Sequence, residues 1–436
     1  MKPKRKQNIK TALLKVVMVS VLFLFFSVTL DGQTQWTKYM NNPVLTKGPD
    51  NWDIIAIGQP AVLFGNDTIK MWYAGVGADM KARICYATSI DGINWVKYNS
   101  PVLDIGGPGE WDRGWLDTPE ILKDSNDYKL YFYGDTIQQI VPGSSAIGVA
   151  VSTDGIHWTK DPGNPILSKG ILGEWDCTWI ESPAVIHDSV NGEYKMWYNG
   201  VDTSTWRIPI GLATSSDGIH WTKYAGNPVL FPGNWGDYDD MWLGTPSVIF
   251  KSGKYEMWYT STCSNSYNYT TYRFDTVNVC FATSTDGINW TKYSGNPLFN
   301  TFTSPYDSLI DTGGPWAPDV IFDVDSNMYK MWFETFDGML LASAPETLSG
   351  INNNTFFNNG LCISPNPFSS ATTIRSREML QNATFILFNS SGQIAERKNN
   401  INGYEIQVER KKLPNGIYFL QLITNKIILT GKLIIE

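Results

Sequence analysis

A nine-residue segment occurs four times in this chain, and its spacing limits the fold more than any local propensity does. The copies are SIDGINWVK from Ser89, STDGIHWTK from Ser152, SSDGIHWTK from Ser215 and STDGINWTK from Ser284. Their tryptophans, Trp95, Trp158, Trp221 and Trp290, are separated by 63, 63 and 69 residues. A fixed period of this length marks a supersecondary unit that stacks on copies of itself. Within each copy Asp-Gly supplies a tight turn, because glycine takes positive φ without steric cost. An apolar run leads into the turn, and the tryptophan opens the strand that follows.

Two more strand runs precede each hairpin. One follows a proline, at Pro60, Pro119, Pro183, Pro246 and Pro318. The next is aromatic, as in Lys70-Met-Trp-Tyr and Lys330-Met-Trp-Phe. Four short strands per unit, repeated radially, make the blade of a β-propeller. The five Pro-led and aromatic pairs predict an all-β chain with a five-bladed β-propeller. The fifth unit has no Asp-Gly-x-x-Trp strand and ends at Leu340–Ala344, whereas Trp36-Thr-Lys-Tyr39 has no strands before it. The N-terminal strand is therefore expected to complete the fifth unit and close the ring, which removes exposed edges.

Residues 1–32 read as a secretory signal peptide: six basic residues up to Lys15, then a mostly apolar stretch from Ala12 to Leu30, then Gly32. A retained anchor is the rival reading, and the small residues near Ser27–Gly32 favour cleavage. No later stretch is apolar enough to span a bilayer, so no membrane span is expected in the mature chain. Loss of the six basic residues takes the formal charge from −8 to −14, or to −13 if Asp31 leaves too. So acidic a chain is a poor partner for nucleic acid or anionic membrane and suits a neutral, sugar-like ligand. The five cysteines include no C-x-x-C, and no His cluster has metal spacing. Cys263 and Cys280 flank an insertion in the fourth unit. A disulfide there and a buried strand role for Cys280, which shares its repeat position with Cys85, both fit.

Residues 33–348 form the expected propeller and 349–360 a polar linker. Residues 361–436 alternate as a small antiparallel sandwich, with strands at Thr384–Asn389, Tyr404–Val408, Ile417–Ile423 and Ile427–Glu436. This tail resembles the C-terminal sorting domain of the bacterial type IX secretion system. The resemblance rests on Ser364-Pro-Asn-Pro-Phe368, Phe388-Asn-Ser-Ser-Gly-Gln393, Leu413-Pro-Asn-Gly-Ile-Tyr-Phe419 and the terminal Lys432-Leu-Ile-Ile. It implies type IX secretion machinery as a partner, export across both membranes, and a secreted or cell-surface location. The competing reading is an accessory sugar-binding sandwich.

The repeat separates scaffold from function. An aromatic-Asp pair recurs before each proline, at Trp52-Asp53, Trp111-Asp112, Trp175-Asp176, Tyr238-Asp239 and Tyr306-Asp307. Its aspartates are read as turns or caps that bond their own backbone, as are those of the Asp-Gly turns. His157 and His220 stand where Asn94 and Asn289 do and are turn residues; His187 has no evident partner. The position two before the proline varies instead: Gly58, Asp117, Glu181, Gly244 and Trp316. If the Pro-led strands are innermost, Asp117 and Glu181 converge from adjacent units. Two carboxyls in unlike surroundings are equipment for glycosidic bond cleavage. The alternative is a pair of solvated rim acids.

Here the chain resembles the five-bladed glycoside hydrolase superfamily that includes families 43, 32 and 130. Trp179-Ile-Glu-Ser-Pro-Ala-Val-Ile186 is similar to the family 43 segment with the general acid, which implies Glu181 as proton donor. Leu116-Asp-Thr-Pro-Glu-Ile121 is similar to the second-blade segment, whose Asp tunes the donor in family 43 or is the sole acid in family 130. In the first unit Gly58-Gln59-Pro60 stands where family 43 carries its general base, and a neutral Gln59 cannot deprotonate water. Asp53 could substitute but belongs to the repeated set. A phosphorylase needs no such base, and Arg83, Arg113 or Arg207 could bind its phosphate. Some relatives carry a funnel calcium; the sequence itself points to no cofactor. Trp115, Trp179 and Trp242 recur four before the proline, which favours packing, although Trp115 and Trp179 remain candidate sugar contacts beside Trp316, Gln59, Arg113 and Arg207. Three functions result: a secreted carbohydrate-active enzyme, a catalytically silent glycan-binding propeller, and an interaction propeller without a sugar ligand.

Overall fold

The computed structural model describes residues 36–65, 68–124, 127–136, 145–188, 191–205, 207–268, 273–301, 314–346, 361–364, 368–389, 392–411, 413–424 and 428–435. The expected signal peptide and linker and the Tyr306-Asp307 pair lie outside them. The chain divides into two units, Gly32–Thr347 and one that contains Leu348–Glu436.

The larger unit is all β. Its strands form five antiparallel groups: Ala56–Phe64 to Trp95–Lys97, Trp115–Asp124 to Thr159–Lys160, Trp179–Asp188 to Thr222–Lys223, Trp242–Lys251 to Thr291–Lys292, and Trp316–Asp323 to Gly338–Pro345. In each group the Pro-led strand pairs with the aromatic strand, and that strand pairs with the third. The Pro-led strand of every group touches those of its two neighbours, the fifth touching the first, so the ring is closed. The fourth strand of the fifth group is Thr37–Lys38, with Thr37 opposite Ser343 and Lys38 opposite Ala342. The N-terminal strand thus completes the last unit, as the orphaned Trp36 motif implied.

The aromatic strands are buried on both faces: Met71, Trp72 and Tyr73 are all inaccessible, as are Met196, Trp197 and Tyr198. One aromatic per unit locks the next unit. Trp72 meets Trp158 edge-on at 6.3 Å, Tyr131 meets Trp221 at 5.9 Å, Trp197 meets Trp290 at 5.8 Å and Trp332 meets Trp95 at 6.0 Å. Each also donates to the carbonyl of the Asp-Gly glycine in the partner turn: Trp72 to Gly155, Tyr131 to Gly218, Trp197 to Gly287 and Trp332 to Gly92, at 2.9–3.0 Å. Trp36 fills the fifth place, 6.4 Å edge-on to Trp258. The Trp258 indole N–H has no acceptor among the described residues. Such aromatic pairs contribute about 0.5–1.5 kcal/mol each beyond their area.

The repeated aspartates are scaffold: Asp53 Oδ1 bonds local backbone as expected, accepting the Gly48 N–H at 3.1 Å, and all four described copies also have a partner on another strand. Asp53, Asp112, Asp176 and Asp239 are buried, and each holds a fourth-strand lysine: Lys97, Lys160, Lys223 and Lys292, at 2.5–2.6 Å. The lysine that ends each nine-residue repeat therefore pins the outer strand to the lead-in of the innermost one. The Asp-Gly aspartates do bond their own turns: Asp91 Oδ1 accepts from the Ile93 and Asn94 N–H groups at 2.8 Å. His157 and His220 each bond the aspartate of their own turn at 2.7 Å. His187 stacks on Tyr194, ring centroids 4.4 Å apart. Cys263 and Cys280 are free thiols, which corrects the disulfide reading. Cys280 points into the core beside Ser261 Oγ at 3.2 Å, as its shared position with Cys85 suggested.

The smaller unit is a five-stranded antiparallel sheet: Leu361–Ser364, Ala371–Asn389, Ile394–Glu409, Gly416–Ile423 and Ile428–Ile435. Register shifts interrupt the two long strands, and Phe368 bridges Ile435 in parallel. Phe385, Leu387, Tyr418, Leu420, Leu422 and Leu433 lie in the core that the sheet encloses.

Candidate active site

Each Pro-led strand is interrupted at the same place. Register slips between Gly58 and Ala61, Asp117 and Glu120, Glu181 and Ala184, Gly244 and Ser247, and Trp316 and Asp319. The residue before each proline lies in the left-handed region: Gln59 at φ 54°, Thr118 at 44°, Ser182 at 55°, Thr245 at 45° and Ala317 at 48°. Such backbone costs on the order of 1–3 kcal/mol per non-glycine residue and persists only where its surroundings enforce it. At four of the five a neighbouring unit does so by accepting the strained N–H. Thr118 Oγ1 takes that of Ser182 at 3.2 Å, Asn199 Oδ1 that of Thr245 at 2.9 Å, Thr260 Oγ1 that of Ala317 at 3.1 Å, and Glu334 Oε2 that of Gln59 at 3.1 Å. The five strained residues line a narrow axial channel.

The bulges set the variable position, two before each proline, opposite a second variable position on the aromatic strand. Gly58 faces Ala74, Asp117 faces Tyr133, Glu181 faces Asn199, Gly244 faces Thr260 and Trp316 faces Glu334. Both expected acids are buried, Asp117 at 9% and Glu181 at 5% exposure. Asp117 Oδ2 accepts the Trp115 indole N–H at 3.1 Å and Oδ1 the Thr118 N–H at 2.8 Å. Burial pushes its carboxyl up to about 6 against these two donors. Glu181 is pushed up to about 7, by burial and then by the charge of Asp117, while the Trp179 side chain donates to it. Tyr133, buried, donates to Asp135 Oδ2 at 3.0 Å and feels both Glu181 and Asp117.

A third carboxyl, Glu334, joins them from the fifth unit. It is pushed up to about 8, by burial and then by the charge of Asp117, against the Gln59 N–H. Its carboxylate occupies the volume in front of Gly58: a Cβ there would lie 2.2 Å from Oε2 and 2.4 Å from Cδ. The first unit carries no acid of its own, yet a carboxylate stands at its position. Sequence reasoning missed this residue because it compared units along one strand only. The same comparison along the aromatic strand gives Ala74, Tyr133, Asn199, Thr260 and Glu334, which is as variable.

The other candidates divide. Trp115 is buried with its N–H on Asp117, and Trp179 is half-buried with its side chain donating to Glu181, so both hold acids. Trp242, at the same repeat position, has Gly244 in place of an acid; its buried indole nitrogen has no partner among the described residues, and a Cβ on Gly244 would meet it at 2.6 Å. Trp316 is half-buried in an aromatic group, 5.5 Å from Trp242 and 6.5 Å from Phe274. Gln59 contributes its backbone N–H to Glu334 and lines the axial channel. Arg207 is committed to structure: it donates to the carbonyls of Asp240, Pro232 and Gly233 and stacks on Trp235. Arg83 is paired with Asp79 and Asp104. Arg113 is exposed just ahead of Trp115. Among the described residues no group of three or more His, Cys, Asp or Glu side chains is placed to hold a metal ion.

Comparison with known proteins adds to this geometry. Residues 176–331 match the model of the glycosyl hydrolases family 32 N-terminal domain, and residues 363–436 that of the secretion system C-terminal sorting domain. An uncharacterized protein of Mycobacterium tuberculosis is 29% identical over 213 residues, 48% of this chain; the chain spans 64% of that relative's length. A 1,2-beta-oligomannan phosphorylase of Thermoanaerobacter sp. is 25% identical over 247 residues, 53% of this chain and 73% of the relative. A solved structure from the GH130 family, described as mannoside phosphorylases that include hydrolases of β-1,2-mannosidic linkages, superposes with a TM-score of 0.56 at 18% identity. It covers 73% of this chain and 97% of its own. No helix among the described residues is long and apolar enough to cross a membrane. The chain carries a propeller of the glycosidase type, followed by a secretion system C-terminal sorting domain that indicates type IX secretion to the cell surface or beyond.

Proposed function

We propose that this protein is an exported enzyme that cleaves glycosidic bonds in an oligo- or polysaccharide, with Glu181 as proton donor and Asp117 as the carboxylate that keeps it protonated. The observation that carries this reading is the buried Asp117–Glu181 pair on adjacent units, each acid held by the indole two residues before it. A second N–H, from Thr118, favours the ionised form of Asp117. The burial of Glu181 and then that charge raise the donor to about 7, so a large share of it carries a proton near neutral pH. Transfer of that proton to the departing glycosidic oxygen then leaves Glu181 as a carboxylate. Trp316, at the edge of the acid cluster, is the candidate platform for a sugar ring, with Trp242 and Phe274 beside it.

The relative named as a 1,2-beta-oligomannan phosphorylase makes β-1,2-mannosides the first substrates to try and phosphorolysis the second reading. Two of the three arginines suggested for a phosphate, Arg83 and Arg207, have other partners in this chain, which favours water as the nucleophile. The test is reducing-sugar release by the full-length protein from β-1,2-mannobiose and a panel of plant, fungal and host glycans, with and without phosphate. Glu181→Gln is expected to lower release by about 10²–10⁴-fold. Binding without release by the wild-type protein would replace the enzyme with a glycan-binding propeller.

A further inference from the structure

We infer that Trp235, on the connection between the third and fourth units, is a rim subsite for a saccharide: its open ring face stacks on a pyranose of the substrate beyond the sugars at the scissile bond. The inference rests on the glycosidic-cleavage reading and deepens it, because a second platform suits a chain of several sugars and not a disaccharide.

Three observations carry it. The first is a control that the repeat supplies. The connections into the second, third and fourth units are built as one turn. Its backbone bond runs from the Gly106 N–H to Asp112 O at 3.1 Å, from Gly170 to Asp176 at 3.0 Å and from Gly233 to Asp239 at 3.0 Å. A carboxylate closes it: Glu110 Oε2 accepts the Gly107 N–H at 2.7 Å, Glu174 Oε2 that of Ile171 at 2.9 Å and Asp237 Oδ2 that of Asn234 at 2.7 Å. The residue at the tip is Pro108, Leu172 or Trp235, and all three are exposed. A turn that forms equally well around proline and leucine has no structural use for an indole there.

The second is how the indole is held. Trp235 is 63% exposed, yet the Arg207 guanidinium lies over its ring, 5.4 Å from the centroid. That guanidinium is itself fixed, by the carbonyls of Asp240 at 3.2 Å, Pro232 at 3.0 Å and Gly233. A cation clamped over one face leaves the other to solvent and orders the ring before a ligand arrives, which lowers the entropic cost of binding.

The third is place. Arg207 lies on the loop that leaves Val201, and Val201 pairs with Trp179 at the end of the sheet that carries Glu181. The next residue, Ile208, bridges Trp242 in parallel, its N–H on the Met241 carbonyl at 2.8 Å and its carbonyl taking the Leu243 N–H at 2.9 Å. Gly244, two residues on, holds the register position of Asp117 and Glu181. Trp235 therefore stands on the same edge of the ring as the acids. A flat, apolar, electron-rich face of this kind matches the C–H face of a neutral pyranose, whose hydroxyls stay in water.

The experiment compares wild type, Trp235→Ala, Trp235→Tyr and Leu172→Ala in the full-length protein. The probes are the hexasaccharide and the disaccharide of the glycan from which wild type releases most sugar, together with retention by each polysaccharide of the panel in native affinity gels. Trp235→Ala is expected to raise KM for the hexasaccharide by about 3–10-fold, the size of one ring-stacking contact. Its kcat and its KM for the disaccharide should stay at wild type, because binding is lost uniformly and the chemistry is untouched. Retention should weaken in the same variant. Trp235→Tyr keeps a flat ring, and Leu172→Ala alters the same tip of the neighbouring turn; both should remain near wild type. Four results overturn the inference while leaving an enzyme: unchanged KM and retention in Trp235→Ala, equal changes on both probes, an equal loss in Leu172→Ala, or a loss in Trp235→Tyr as large as in Trp235→Ala. Retention without cleavage by wild type overturns the cleavage reading, and the subsite then stands only if Trp235→Ala weakens that retention. A wild-type protein that neither cleaves nor is retained by any glycan overturns both.

Discussion

Gly58→Ala tests the geometry of the site without needing a substrate. The new Cβ would lie 2.2 Å from Glu334 Oε2, where ordinary contact begins near 3.4 Å, so the carboxylate must retreat by more than 1 Å. That retreat breaks its 3.1 Å bond to the Gln59 N–H. A stranded buried donor costs about 1–3 kcal/mol, and forcing atoms into a filled volume costs a similar amount. Gly58 is not among the glycines at positive φ, so alanine meets no backbone penalty there and gains about 0.4–1 kcal/mol from the unfolded state. The net expectation is a loss of roughly 2–4 kcal/mol for the single variant. In a Glu334→Ala background the obstacle is gone, and the same substitution should be neutral or slightly stabilising. The coupling energy is then about 2–4 kcal/mol, well above the additivity error of distant sites. All 18 tryptophans lie between Trp36 and Trp332, so tryptophan fluorescence in a denaturant titration reports the propeller alone in the full-length chain. Equal losses in both backgrounds would refute the claim that Glu334 fills the space at Gly58.

Three further outcomes are expected. Asp117, Glu181 and Glu334 all have pKa values raised above those of the unfolded chain, so their contribution to stability is complete below about pH 4 and declines as pH rises through 6, 7 and 8. Thermal unfolding from pH 5 to 8 should show Tm falling more steeply in wild type than in Asp117→Asn/Glu181→Gln/Glu334→Gln; parallel curves would contradict this. Lys97→Met leaves the buried Asp53 with Tyr73 and the Gly48 N–H but no cation, and should cost about 3–5 kcal/mol in denaturant unfolding, against under 1 kcal/mol for an exposed pair. Cys263 and Cys280 should leave Tm unchanged on addition of dithiothreitol, and Cys280 should resist alkylation until the propeller unfolds; a reductant-sensitive Tm would restore the disulfide.

The architecture was legible because it is periodic. Four copies of one turn, five prolines and a stray Trp36 were enough to place the ring and its closure, since each copy restates the same packing problem. Asp117 and Glu181 were legible for the converse reason: they depart from the pattern at a position that the scaffold leaves free. Glu334 was not, because its neighbour Gly58 lies 276 residues earlier in the chain, and a glycine signals only that something needs room. The role of Trp115 and Trp179 was also hidden. Recurrence marks an indole as structural, but only the distance from its N–H to Asp117 shows that the structure it supports is the acid. The repeated aspartates were legible as scaffold, and Asp53 as a cap on its own backbone, but their lysines were not, because a lysine some 45 residues away in sequence can be adjacent only across a closed unit.

The pairing of Thr37 with Ser343 means that the first strand of the ring waits for the last. Closing a loop of this length costs about 5 kcal/mol in chain entropy, set against two paired residues, the bonds of Tyr39 and Asn42 to Leu341, the bridge of Leu45 to Met339 and one indole edge on Trp258. A polypeptide that crosses a membrane amino end first delivers this clasp before anything it can fasten to. Until the fifth unit arrives, the protein is an open arc with two raw ends. The clasp is the last joint to set, and a pull on the amino terminus loads it first.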